Sequence, residues 1–144
     1  MANKDNPGRG ARFETLVQRF FARHRLPLQL HYSIPIGFDG KRRHYRFDLG
    51  SERPPVIVEC KRHTWQAKDT VPAAKLAAWK EACLYFVAAP CRYRRLLVVL
   101  RDLRWGQSLA EYFLQHYGHM VPRNVEIWEL APSGRTGRRL YTRR

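Results

Sequence analysis

The run Val56-Ile57-Val58-Glu59-Cys60-Lys61 constrains this chain more than any other segment. Three consecutive β-branched residues behind the polar, proline-containing stretch 50–55 read as a strand covered on both faces. A strand with one wet face would instead alternate apolar and polar residues. The period of two sets Glu59 and Lys61 on one face and turns Cys60 to the other. A carboxylate and an ammonium inside an otherwise apolar strand are unfavourable unless they pair, reach water or hold a metal ion. An ion pair at the sheet margin is the simplest such arrangement. The surrounding elements decide whether more is built there.

Phe13, Leu16, Val17, Phe20 and Phe21 recur at helical spacing, and that segment stops before Pro27. Residues 28–38 and 43–49 are rich in strand formers and are joined through Asp39-Gly40, a strong two-residue hairpin signal. Pro35 has no N–H to give a ladder, which makes the first of these strands an edge or interrupts it. Thr70 and Pro72 suit a helix start; Leu76, Trp79, Cys83, Phe86 and Val87 form its apolar stripe and Pro90 ends it. Residues 96–100 then form a strand reached by a helical crossover, hence parallel to the strand at 56–61. A helix over 109–117, closed by Gly118, and a strand over 125–130 follow. The expectation is an α/β fold: helix, three-strand meander, helix, strand, with a mixed sheet flanked by helices.

Asp48 ends the strand before the Glu59 strand, and the turn between them can bring the two carboxylates together. Two carboxylates on adjacent strands make a hard, oxygen-rich site suited to Mg²⁺ or Mn²⁺. Lys61 then stands where a phosphate oxygen or an attacking water would be placed, and its charge can stabilise the transition state.

Asp48, an eleven-residue step to Glu59, then Cys60 and Lys61 resemble the Asp…(Asp/Glu)-x-Lys signature of the PD-(D/E)xK, restriction-endonuclease-like nucleases. The order of elements over about 13–100 is also that of the family's core, and Glu14 stands where the family often has a first-helix glutamate. Phe47 occupies the position of the signature's proline. The resemblance implies Mg²⁺- or Mn²⁺-dependent endonucleolytic hydrolysis of DNA, with Asp48, Glu59 and Lys61 as catalytic residues. It implies Asp48, Glu59, the Cys60 carbonyl and Glu14 as metal ligands, and action as a homodimer. In layout the chain is similar to archaeal-type Holliday junction resolvases and small restriction enzymes. The alternatives are a catalytically silent nuclease-like module that binds nucleic acid, and a basic RNA-structuring protein in which Glu59 and Lys61 are only an ion pair.

The charge balance, 27 basic against 12 acidic residues and a net charge of +15, points to a polyanionic partner, and nucleic acid fits best. Arg43 and Arg46 flank Asp48, while Arg62, His63 and Trp65 continue from the Glu59 strand, with Gln66, Lys68 and Lys75 beyond. Of these, Arg43, Arg46, Arg62, His63, Trp65 and Lys75 are the candidate nucleic-acid contacts. Each has an ordinary alternative: a solvated strand face for the arginines, a bystander loop residue for His63, a packing anchor for Trp65. His116 and His119 lack further ligands nearby, so zinc is not expected.

Residues 1–134 are expected to form a single nuclease-like domain and 135–144, with five arginines, a mobile basic tail. Nothing approaches the roughly 20 apolar residues of a membrane span, and the polar N-terminus is unlike a signal peptide, so no membrane association and a cytoplasmic location are expected. Cys60, Cys83 and Cys91 are expected as reduced, mostly buried thiols.

Overall fold

The computed structural model describes residues 7–67 and 70–143. Helix α1 (Pro7–Arg23) precedes an antiparallel meander of β1 (Gln29–Phe38), β2 (Lys41–Glu52) and β3 (Pro55–Lys61). Helix α2 (Ala73–Ala88) crosses to β4 (Arg94–Leu100), and a small hairpin, β5 (Leu103–Arg104) with β6 (Gln107–Ser108), leads into α3 (Leu109–Tyr117). Strands β7 (Val125–Leu130) and β8 (Gly137–Tyr141) follow. The main sheet has the order β1-β2-β3-β4-β7-β8, with β3, β4 and β7 parallel and the remaining neighbours antiparallel. The fold is α/β with a mixed six-stranded sheet. Among the described residues no helix is long and apolar enough to cross a membrane.

Helices lie on both faces, as the doubly apolar β3 requires. Phe13, Val17, Phe20 and Phe21 of α1 pack on Val56 and Val58 of β3 and on Leu96 and Val98 of β4. Leu76, Trp79 and Phe86 of α2, with Leu109 and Phe113 of α3, pack on the other face against Ile57, Leu97, Val99 and Ile127. Alternation along β3 therefore carries Glu59 toward the α2 side and Cys60 toward α1. The β1–β2 turn has φ of 54° at Asp39 and 77° at Gly40, the left-handed pair that a two-residue hairpin needs. Pro35 lies on an edge strand, where its missing N–H is harmless.

One irregularity matters for the site. Leu30 of β1 and its partner Leu49 of β2 pack on the α1 side, whereas Tyr32 and its partner Phe47 pack on the α2 side. Residues two apart in a regular strand share a face, so both strands change face between these pairs, where His31 and Asp48 stand. His31 takes φ of 59° there.

Four expectations need correction. Residues 137–141 are not a mobile tail but strand β8, paired antiparallel with β7. Its Arg138 donates to Glu129 at 3.0 Å, a carboxylate whose side chain is fully buried. A buried charge needs such a partner, and that need, invisible in an arginine-rich segment, orders the strand. Cys91 is exposed while Cys83 is buried, and Val87 leaves the α2 stripe and is exposed. Gly118 keeps right-handed helical geometry, φ −57°, and continues α3 into the 3₁₀ turn Gly118–Met120 rather than closing it.

Deleting the chain from Gly137 onward strips β7 of its partner and leaves Glu129 without Arg138. The expected loss is about 2 kcal/mol or more, smaller than for a fully buried pair because Arg138 is half exposed. Denaturant midpoints of the truncated and full-length chains check this; a mobile tail would leave the midpoint unchanged.

Candidate active site

The β2–β3 ladder ends at Leu49↔Val58, one step before Asp48 and Glu59. Beyond that pair the side chains take over the main-chain bonding. Asp48 Oδ2 accepts from the Cys60 N–H at 2.8 Å, and the Glu59 carboxylate accepts from the Asp48 N–H. Each acid thus bonds to the main chain of the other's strand where the ladder has ended. Because the N–H and C=O of one strand residue point to the same side, the Cys60 carbonyl faces the same gap as Asp48.

Three carboxylates reach this gap from different layers. Glu14 comes from α1 and shares a side-chain hydrogen bond with Asp48. Asp48, half-buried, lies between the layers at the point where β2 changes face. Glu59 comes from the α2 side and is 3% exposed; Tyr45 donates to its Oε1 at 3.1 Å. The Tyr45 ring is stacked on Tyr85 of α2, with centroids 4.1 Å apart, so the donor is held from behind.

The electrostatics favour protons on Glu59 and Glu14. Burial, then the charge of Asp48, pushes Glu59 up to about 8, against the opposing pull of the Lys61 charge and its two hydrogen bonds. Burial first, then the Asp48 charge and the shared hydrogen bond, pushes Glu14 up to about 7, with Arg46 pulling the other way. Burial and the Glu59 charge together raise the Tyr45 phenol well above its usual range, which keeps it a donor. Raised carboxylates beside a third acid are a site that is short of positive charge. A hard dication supplies what the protons otherwise would, and its preferred donors, carboxylate and carbonyl oxygens, are the ones present. Glu14, Asp48, Glu59 and the Cys60 carbonyl therefore fit such an ion. They meet pairwise through Asp48, and among the described residues no set of three His, Cys, Asp or Glu side chains is already gathered at coordinating distance.

Lys61 ends β3, half-buried, two residues from Glu59 and on its face. Arg62 follows it. His63 is held in place, its Nδ1 accepting from Trp79 Nε1 of α2 at 2.8 Å, which leaves the ring's other nitrogen as the protonated one in the neutral form. Trp65 is an anchor: its main-chain N–H reaches Asp102 Oδ2 at 2.8 Å, its indole N–H reaches the Asp102 carbonyl at 3.1 Å, and its ring meets Tyr112 edge-on. Lys75 stands in the first turn of α2, at the end of the sheet where β3 finishes, with Gln66 in the loop between; Lys68 lies outside the described residues. Arg46 is exposed beside Glu14, and Arg43 is exposed farther out along the β1–β2 hairpin.

Tyr45 was not foreseen as a site residue. Its separation from Asp48 is odd, so a regular strand would put the two on opposite faces, and only the face change at Asp48 brings both to Glu59. The exposed Trp105, in the β5–β6 turn, was not foreseen either.

The raised acids predict a pH dependence. Glu59 and Glu14 bind protons more tightly folded than at their ordinary value of 4.5, so this contribution to stability is complete below about pH 4.5 and is lost as pH rises through about 7 and 8. In buffer with a chelator, Glu59→Gln is therefore expected to gain melting temperature relative to wild type progressively from about pH 5 to about pH 9. A constant difference across that range, measured by thermal denaturation, would contradict the assignment.

In comparisons with family models, with curated proteins and with solved structures, the chain matches none.

Proposed function

We propose that this chain is a Mg²⁺- or Mn²⁺-dependent endonuclease acting on DNA, built on a restriction-endonuclease-like core of the PD-(D/E)xK type. The observation that carries the reading is the pair Asp48 and Glu59, bonded across the end of the β2–β3 ladder, with Glu59 buried and held up at about 8 beside Lys61. A purely structural ion pair would not bring a second and a third carboxylate to the same gap, because each added buried acid works against the fold.

In this reading Asp48, Glu59, Glu14 and the Cys60 carbonyl hold the cation. Bound there, the ion lowers the pKa of a coordinated water and offsets phosphate charge. Tyr45 orients the Glu59 carboxylate by donating to its Oε1. Lys61 supplies a fixed positive charge on the Glu59 face, where charge develops on the phosphoryl oxygens. Arg46, Arg62 and Lys75 approach the same end of the sheet and can neutralise flanking phosphates, with Arg43 farther out on the hairpin. His63, held by Trp79, stands two residues beyond Lys61.

A second reading, a module that binds nucleic acid without cutting it, is favoured by one observation: the three carboxylates meet only pairwise. A single experiment separates the two. Purified chain is incubated with Mg²⁺ or Mn²⁺ and duplex, single-stranded, flapped or four-way DNA. Cleavage is expected, with Lys61→Ala and Glu59→Gln each slower by about 10²-fold or more, as for the loss of one electrostatic group in a buried site. Binding to DNA in chelator should survive both changes. Retained binding with no cutting of any substrate would establish the silent module instead.

A further inference from the structure

The β5–β6 hairpin is two residues on each strand, with Leu103 paired to Ser108 and Arg104 to Gln107, so Trp105 and Gly106 alone form its turn. Their φ values are 55° and 75°. A turn of this kind selects Asn, Asp or Gly at its first position, because a left-handed backbone crowds any larger side chain. Trp105 sits there with 86% of its surface exposed, and its ring makes no hydrogen bond or ring contact among the described residues. The other three tryptophans are built into the structure: Trp79 is fully buried, and Trp65 and Trp128 each donate an indole hydrogen bond. The fold gains nothing from an indole at position 105 and bears a local strain to keep it.

The hairpin that carries it is fixed. Asp102 accepts from both N–H groups of Trp65, Arg104 donates to the Gln66 carbonyl at 3.3 Å, and the Leu109 N–H returns to the Asp102 carbonyl at 3.2 Å. Ser108 and Glu111 then close α3 with reciprocal capping bonds. Trp65 and Gln66 belong to the loop that leaves Lys61, and β5 leaves the end of β4, which runs parallel to β3 with Lys61 opposite Val99. The exposed ring is thereby carried at the carboxyl end of the two central strands, the end at which Lys61 lies. Arg104 precedes it directly on β5.

We propose that Trp105 is a nucleobase-stacking residue: a rigid aromatic tip that packs on an unpaired or unstacked base of the nucleic acid bound at the site. This rests on the nucleic-acid partner of the preceding reading and adds the contact that recognises the base plane. A flat, exposed ring at a turn tip, with Leu103 the other exposed large apolar residue of its hairpin and a net charge of +15 on the chain, suits a base beside phosphates better than an apolar protein face, which would need a larger contiguous patch.

The test uses the full chain in chelator, with DNA and RNA oligonucleotides carrying 2-aminopurine. Trp105→Asn keeps the turn chemistry and removes the ring, so the hairpin survives. Wild type is expected to quench the probe, and Trp105→Asn to lose the quenching and bind roughly 5- to 150-fold more weakly. Trp105→Tyr should restore both, and the dependence of log K on log salt should not change, since no phosphate contact is lost. Equal affinity and quenching for wild type and Trp105→Asn would overturn the proposal. So would a Trp105→Asn effect confined to self-association in sedimentation, which would make the tip a protein contact. Weakened binding in a chain that never cuts would sustain the stacking role and defeat the nuclease reading; normal cutting with unaltered binding in Trp105→Asn would do the reverse.

Discussion

The 2.8 Å bond from the Cys60 N–H to the Asp48 carboxylate governs the geometry on both sides of it. Toward the turn, β2 and β3 form an ordinary antiparallel ladder that ends at Leu49↔Val58. Toward the β1–β2 hairpin, β2 has changed face, so Phe47 and Tyr45 pack with α2 while Leu49 packs with α1. An aspartate can end a ladder in this way because its carboxylate substitutes for a main-chain carbonyl, satisfying an amide that would otherwise be stranded in the sheet. The gap so made is lined by acids because acids make it.

The rest of the charge distribution is arranged around other needs. Glu126 is held by Arg94 at 2.6 and 2.9 Å with Arg139 nearby, which keeps its carboxyl low despite burial. Glu129 is held by Arg138, and Glu52 by Tyr32, Tyr93 and Arg92. Each of these acids has a cation against it, and the partners of Glu52 and Glu126 hold those carboxyls below the usual range. Glu14 and Glu59 differ in being drawn toward protonation. The contrast lies in local partners: Arg94 makes two charge-assisted bonds to Glu126, whereas the acids near Asp48 face one another.

Where local rules decide, the sequence was a good guide. Asp39-Gly40 placed the hairpin, Val125–Leu130 was bounded to the residue, and the crossover from β3 to β4 followed from a helix-length apolar stripe. Asp48, Glu59 and Lys61 were brought to one region as their strand positions implied, and Glu14 joined them from α1. What escaped depends on non-local facts. The face change at His31 and Asp48 breaks the period-two rule, and with it any inference about Tyr45. Strand β8 is ordered by a buried glutamate on β7, so its own arginine-rich composition read as a tail. Trp65 had two readings, a nucleic-acid contact or a packing anchor, and Asp102 makes it an anchor, while Trp105, which drew no reading, stands exposed at a turn tip.

Two scales of electrostatics then divide the work. Exposed arginines on β2 and β8 act through water, where screening limits each to about a Debye length of roughly 8–10 Å at physiological salt. Such charges favour polyanions in solution, but they do little for a carboxylate beneath the surface. The acids at Asp48 sit in a poorly solvated gap, where one charge alters another strongly and only something inside the gap can answer it. That is why a chain of net charge +15 still holds two carboxyls at about 7 and about 8: an excess of surface arginine does not answer the acids at the end of β3.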